Sequence, residues 1–188
     1  LVEGSAVLRA AQRRAIAGDV IWHERVESLP EGPLYLLANE FFDALPIRQF
    51  QRSGEGWRER VVGLSDDRLT LGLGGPVAPP VLAERLADTR EGDIVETCGP
   101  GAAVMAEIGA RIAGQGGAAL IVDYGDWRSL GDTFQAVKGH APVDPLTEPG
   151  EADLTAHVDF AALARAAAPA QHTRLTPQGT FLERLGIA

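Results

Sequence analysis

Apolar positions in this chain follow two rhythms. Leu34-Tyr35-Leu36-Leu37-Ala38 runs without a polar interruption and stops at Asn39 and Glu40. A continuous run of that length predicts a strand buried on both faces, as in a parallel sheet. Ala118 to Val122 repeats the pattern and stops at Asp123-Tyr124. Two shorter extended pieces, Leu1 to Glu3 and Val20 to Trp22, end at Glu3 and at His23. Helical spacing fills the intervals. Ala6 to Ala17 sets Val7, Leu8, Ala11 and Ile16 near one face and Arg9, Arg13 and Arg14 near the other, with Gly18 as the stop. Pro100-Gly101 introduces a helix to Ala113 closed by Gly114, and Asp159 caps one running to Ala168. A short helix is expected from Val81 to Asp88, and Arg174 to Thr180 reads as an extended return before a last helical turn at Phe181 to Leu185.

The middle of the chain breaks this order. Ile47 to Gln51 and Gly56 to Val62 flank a Ser53-Gly54-Glu55-Gly56 turn, and Leu69 to Leu73 adds a third strand, so an antiparallel excursion is expected. Ile94 to Glu96 is extended. Trp127 to Thr155 is rich in Gly, Pro, Asp and His and is expected to be an ordered loop over the sheet edge. Strands alternating with helices give an α/β fold. The 188 residues suffice for one domain spanning 1-188, with a β-hairpin insertion at 47-75 and a substrate-side loop at 127-155.

Four strand ends carry a polar group: Glu3, His23, Asn39-Glu40 and Asp123. If the strands are parallel, all four gather on the rim where open α/β sheets bind ligands. Glu3 suits ribose hydroxyls, because a carboxylate accepts two parallel hydrogen bonds; a solvated acid at a helix start is the alternative. Asn39 and Glu40 suit a cationic group, since a carboxylate grips a guanidinium bidentately. The alternative for Glu40 is capping the Phe41-to-Leu45 turn. Tyr124 and Trp127 either stack on a planar ligand or pack.

Composition removes other chemistries. A net charge of −9 argues against nucleic acid as the main partner. Cys98 stands alone, so no intrachain disulfide and no multi-cysteine metal site can form. No apolar run reaches the length of a membrane span. His140, Asp144, Glu151, Asp153, His157 and Asp159 match no strong ligand spacing, and no metal is expected. None of the serines sits in a Gly-x-Ser-x-Gly elbow.

Longer motifs carry a resemblance. Asn39-Glu40-Phe41-Phe42-Asp43-Ala44-Leu45-Pro46 precedes Gly56-Trp57-Arg58-Glu59-Arg60 and Asp123-Tyr124-Gly125. Gly131-Asp132-Thr133-Phe134-Gln135-Ala136-Val137-Lys138-Gly139-His140 and Gly150-Glu151-Ala152-Asp153-Leu154-Thr155-Ala156-His157-Val158-Asp159-Phe160 extend the match over nearly the whole chain. Together they resemble the MidA-like methyltransferases, whose mitochondrial relatives help assemble respiratory complex I. The resemblance implies a Rossmann-like fold, S-adenosyl-L-methionine as cofactor, and methyl transfer to an arginine of a protein substrate, in the cytoplasm of bacteria and in the mitochondria of eukaryotes. By position it implies that Glu3, Trp22, His23 and Asn39 face the cofactor. Glu40, Asn39 and Asp43 would line the transfer cleft, and Asp123, Tyr124, His140 and His157 the substrate side.

The family's glycine-rich loop would lie before Leu1, where the chain starts without Met and in the manner of a strand end. An amino-terminally incomplete domain is therefore expected, which alone would bind cofactor weakly or not at all. With an unpaired sheet edge it would tend to associate into a homo-oligomer. A non-catalytic assembly or binding protein on the same scaffold is the alternative, because fold does not establish activity. A methyltransferase acting on a small molecule is a third.

Overall fold

The computed structural model describes residues 1–187. Element α1 (Ala6–Ala15) begins at Ser5, whose hydroxyl accepts a hydrogen bond from the Leu8 N–H at 3.3 Å. The expected apolar face of this helix forms but has no cover: Val7 and Leu8 are exposed. Val20 to Trp22 does not become a strand. Val2 and His23 form an isolated parallel bridge, closed by Glu3 N–H to the His23 carbonyl and His23 N–H to the Leu1 carbonyl.

The antiparallel excursion is larger than expected. Strands β1 (Leu34–Asn39), β2 (Arg48–Ser53), β3 (Gly56–Ser65), β4 (Arg68–Val77) and β5 (Ile94–Thr97) succeed one another in sequence. The last four form one sheet in the order β4-β3-β2-β5. Thus Ile94 to Thr97 closes the sheet against β2, pairing Arg48 with Thr97 and Gln51 with Ile94. A 3-10 helix from Pro80 to Leu86 crosses back, and Phe50, Trp57, Leu82 and Val95 make a small core of their own.

Element α2 (Gly99–Gln115) has Cys98 as its cap, the thiol sulfur accepting from the Gly101 N–H at 3.3 Å. Burial pushes that thiol pKa up, which suits a structural cysteine rather than a nucleophile. β6 (Gly117–Val122) then pairs in parallel with β1, from Leu34 with Gly117 to Asn39 with Val122. Gly117 is obligatory there: at φ +119 a Cβ would stand 2.0 Å from the Leu34 carbonyl oxygen. Leu34, Leu36 and Ala38 pack against a core of Val26, Phe42, Met105, Ile108, Val158 and Leu163. Burial on both faces, expected of the unbroken run, does not occur: Tyr35 is 81% and Leu37 71% exposed. Strand geometry sends successive side chains to opposite faces, and only one face has α2 against it. The four segments expected to share one parallel sheet stand instead as two hydrogen-bonded pairs, Val2 with His23 and β1 with β6.

The segment from Tyr124 onward leaves and returns at one place. β7 (Gly125–Asp126) anchors it, and β8 (Gln135–Lys138), β9 (Ala141–Val143) and β10 (Asp153–Thr155) form a sheet in the order β10-β8-β9. β11 (Val158–Asp159) then lies parallel to β7. The expected loop thus has strands of its own. Gly139 and His140, both at positive φ, make the two-residue turn between β8 and β9. α3 (Phe160–Ala166) is capped by Asp159, which accepts from the Ala162 N–H at 2.8 Å, and α4 (Gln178–Arg184) is the last described helix, beginning where an extended return was expected.

Candidate functional site

β1 and β6 end side by side, and the chain leaving β1 turns sharply over them. The turn is made by Glu40, whose N–H donates to the Val122 carbonyl at 2.9 Å and whose φ is +48. A left-handed conformation costs a non-glycine residue about 1 kcal/mol or more and is found preferentially where function demands it. Asp123, one residue past β6, holds this turn in place: its carboxylate accepts from the Phe42 N–H at 2.9 Å and from the Tyr124 N–H at 3.1 Å. Phe42 is thereby fixed in the core, its ring meeting Phe41 edge-on. The turn is capped by Asp123 from the neighbouring strand, not by Glu40.

Three carboxylates therefore crowd one rim. Asp43 is only 6% exposed, and its Oδ1 is buried with no hydrogen-bond partner. Burial, then the Asp123 and Glu40 charges, push its pKa up, while backbone N–H groups of Ala44 and of Asp43 itself pull against them. Asp123 is also raised, by burial, against the hydrogen bonds it accepts from backbone. Among the described residues, no ion pair involves Glu40, Asp43 or Asp123. Asn39 and Glu40 are exposed. The arrangement is a buried acid with a spare acceptor, beside two further acids, facing no cation of its own. A cation beside Asp43 would oppose the Asp123 and Glu40 charges that raise its pKa.

Glu3, Trp22 and His23 come together as a second group. The Glu3 carboxylate accepts from the Ser5 N–H at 2.8 Å and from the Gln12 amide at 3.2 Å, one donor per oxygen, so each oxygen keeps a lone pair. Gln12 Oε1 accepts the Trp22 indole N–H at 2.9 Å, and Arg13 sits 5.4 Å from the centre of that ring. Trp22 thus has its polar atom engaged and the Arg13 guanidinium over one face of its ring, leaving the opposite face. His23 Nδ1 lies 3.0 Å from the Ser28 hydroxyl.

The remaining predicted residues lie on the long segment. Tyr124 is exposed beside the turn, its carbonyl accepting the Val158 N–H at 2.8 Å. His140 occupies the β8–β9 turn at φ +64, a hairpin tip. His157 is exposed and donates its backbone N–H to Thr133 Oγ1 at 2.8 Å. Trp127 packs its ring 5.6 Å from His172. Sequence reasoning passes over Gln49, Glu96, Asp132 and Thr133, which make a polar cluster behind the turn. Gln49 and Glu96 are hidden inside short strands, and their partners Asp132 and Thr133 stand 83 and 37 positions away respectively. No group of three His, Cys, Asp or Glu that could hold a metal occurs among the described residues. No described helix is long and apolar enough to cross a membrane.

Comparison with known proteins adds identity to this geometry. A family model described as "Putative S-adenosyl-L-methionine-dependent methyltransferase" matches residues 1–178. The chain is 40% identical over 175 residues to "Protein arginine methyltransferase NDUFAF7, mitochondrial" of Danio rerio, covering 89% of this chain and 40% of that protein. The Homo sapiens protein of the same name is 39% identical over 173 residues, covering 89% and 38%. A crystal structure from Burkholderia thailandensis bound to S-adenosyl-homocysteine superposes with a TM-score of 0.70 at 30% identity, over 88% of this chain and 46% of that one. A native crystal structure from the same organism gives 0.78 at 31%, over 99% and 54%. The chain spans about 40% of the length of the curated relatives it matches. The Rossmann-like methyltransferase fold and the family expected from the motifs are both borne out.

Proposed function

The chain belongs to this family of S-adenosyl-L-methionine-dependent methyltransferases, and on that premise we propose that it carries the acceptor-side half of a protein-arginine methyltransferase site. The observation behind this reading is the trio Glu40, Asp43 and Asp123 at the ends of β1 and β6. Asp43 Oδ1 is buried and unpartnered, and among the described residues no basic side chain pairs with any of the three. A guanidinium is the side chain that matches it: planar, permanently charged, and able to offer paired N–H donors to a carboxylate. Two relatives at about 40% identity bear the name protein arginine methyltransferase, which points the same way.

S-adenosyl-L-methionine supplies a methyl carbon made electrophilic by its sulfonium, so the protein's task is alignment more than activation. The residues present suit that cofactor. Glu3 has one free lone pair on each oxygen for hydroxyl groups, and Trp22 offers an indole face beside it. Glu40, held at the rim by its backbone bond to Val122, orients one guanidinium nitrogen; Asp43 beneath it balances the charge, and a proton leaving the nitrogen passes to this carboxylate pair. Asn39 at the end of β1 stands between the two groups of residues in sequence and can donate or accept toward either partner. Asp123 serves by fixing the turn that carries Asp43. The segment from Tyr124 to His157, with His140 at the tip of its β8–β9 hairpin, forms the wall on the protein-substrate side.

Incubating the full-length protein with S-adenosyl-L-methionine and a host-cell protein extract, then mapping methylated residues by mass spectrometry, tests the reading. Methylarginine on a defined protein is the expected product. Cofactor turnover with methyl groups only on small molecules would replace it with the small-molecule alternative.

A further inference from the structure

We propose that Glu96 is a positioning residue of this site, acting through the Thr133 hydroxyl on the Asp43 turn; the proposal rests on the assignment of that turn to the acceptor side. Glu96 lies on β5 and is 5% exposed. A carboxylate that deep must be hydrogen-bonded to be tolerated, and all its partners tie chain segments together. Its Oε1 accepts from the Gln49 amide at 2.7 Å and from the Thr133 N–H at 3.0 Å, and its Oε2 accepts the Thr133 hydroxyl proton. Having donated its one proton, the Thr133 oxygen is free to accept, and it takes the His157 N–H at 2.8 Å. The preceding residue, Ala156, donates its N–H to the Asp43 carbonyl at 3.0 Å. One buried carboxylate is thus linked to Asp43 through a single hydroxyl and two adjacent backbone amides.

The cluster behind Glu96 fixes the direction of the relay. Gln49 spends its second N–H on Asp132 at 2.7 Å, and its carbonyl oxygen accepts from Arg60 at 2.9 Å, so the amide has one orientation that satisfies both carboxylates and the guanidinium. Arg60 also pairs with Asp132 at 2.6 Å. The two stretches that flank the β8–β10 segment, 131–133 and 156–157, are therefore clamped at one point on the antiparallel sheet. The clamp meets the site at the Asp43 backbone. Its task is geometric: it sets where the substrate wall and the buried acid stand relative to each other.

Two substitutions separate the hydroxyl from its bulk. Thr133→Val keeps the shape and deletes the relay; Thr133→Ser keeps the relay and deletes the methyl. The measurements are amide hydrogen exchange at Ala156 and His157, calorimetric affinity for S-adenosyl-homocysteine, and kcat and KM with an arginine-containing peptide as acceptor, all on the full-length protein. Thr133→Val is expected to accelerate exchange at both amides and to raise the peptide KM, each about tenfold, the equivalent of roughly one strong hydrogen bond. Cofactor affinity and kcat stay near wild type, and Thr133→Ser stays near wild type throughout. Glu96→Gln, which disturbs the same relay from its other end, is expected to move exchange and KM in the direction of Thr133→Val. Overturning results are slow exchange in Thr133→Val and Glu96→Gln, fast exchange in Thr133→Ser, or fast exchange with an unchanged peptide KM. Wild-type protein that binds S-adenosyl-homocysteine yet methylates no arginine peptide would instead refute the transfer reading, and the exchange contrast would still decide the relay.

Discussion

Carboxylates on the two sides of this molecule live in opposite surroundings. On the antiparallel side, Asp132 and Asp88 are pushed up by burial but are held below the ordinary carboxylate range by what they touch, Arg60 and Gln49 for the first, Arg128 and Arg85 for the second. At the rim of the parallel strands, Asp43 and Asp123 are raised by burial, and no arginine among the described residues pairs with them. The protein is not short of arginine; it places arginine where the acids are structural and omits it where β1 and β6 end. An acid matched internally by arginine holds the fold; Asp43 Oδ1, buried at a strand end, has no such match. That contrast separates architecture from site more sharply than burial does, because Glu96 and Asp43 are almost equally buried.

The largest test of the contrast is to strip a cation from the matched side. Arg85 is buried, bridges Asp88 at 3.0 Å and Asp159 at 3.5 Å, and donates to the Ser129 carbonyl at 3.1 Å. Arg85→Met is expected to cost about 3 kcal/mol in a denaturant titration, because the mostly buried Asp159 loses its cation and the Ser129 carbonyl its donor, while the exposed Asp88 keeps Arg128. An equal loss on replacing an exposed rim acid such as Glu40 would erase the distinction. Asp123→Ala is expected to cost about 1–3 kcal/mol, since the Phe42 and Tyr124 N–H groups lose their acceptor.

The smallest effect is in pH. A carboxyl whose folded pKa is raised binds protons more readily in the native state, so its contribution is intact in acid and is lost as pH climbs from the ordinary value of 3.8 through the raised value. Asp132 and Asp88 act in the reverse sense: their contribution is present above 3.8 and is lost as pH falls through their depressed values. Asp43→Asn is therefore expected to flatten the decline in unfolding temperature above pH 4 and to leave the acid limb unchanged. Asp132→Asn should do the opposite. Thermal scans of both variants across pH check the sign.

Local patterns in the sequence carry much of this. The unbroken Leu34–Ala38 run locates β1, the Gly-rich interval at 53–56 locates the β2–β3 turn, and Asp159 announces α3. Asn39, Glu40 and Asp43 stand out because polar residues come directly after an apolar run. What escapes is everything settled by partners remote in sequence. Asp123 reaches the Phe42 N–H across 81 positions, and Glu96 reaches Thr133 across 37, so neither role leaves a local signature. The two-faced burial of β1 fails for a related reason: the pattern reports that both faces are apolar, but which face α2 covers depends on packing. The single shared sheet fails likewise: hydrogen bonding joins Val2 with His23 and β1 with β6 as separate pairs, a partition that no local pattern reports.

On the proposed reading, unmatched acids at the end of β1 receive a guanidinium. The most direct test of this reading is Glu40→Gln in the full-length protein, with methyl transfer to an arginine peptide and calorimetric binding of S-adenosyl-homocysteine measured side by side. Transfer should fall by about 100-fold or more, the scale of losing a group that orients and neutralises the reacting partner, while cofactor affinity holds within about twofold, under roughly 0.5 kcal/mol. Undiminished transfer, or a parallel collapse of cofactor binding, would contradict it.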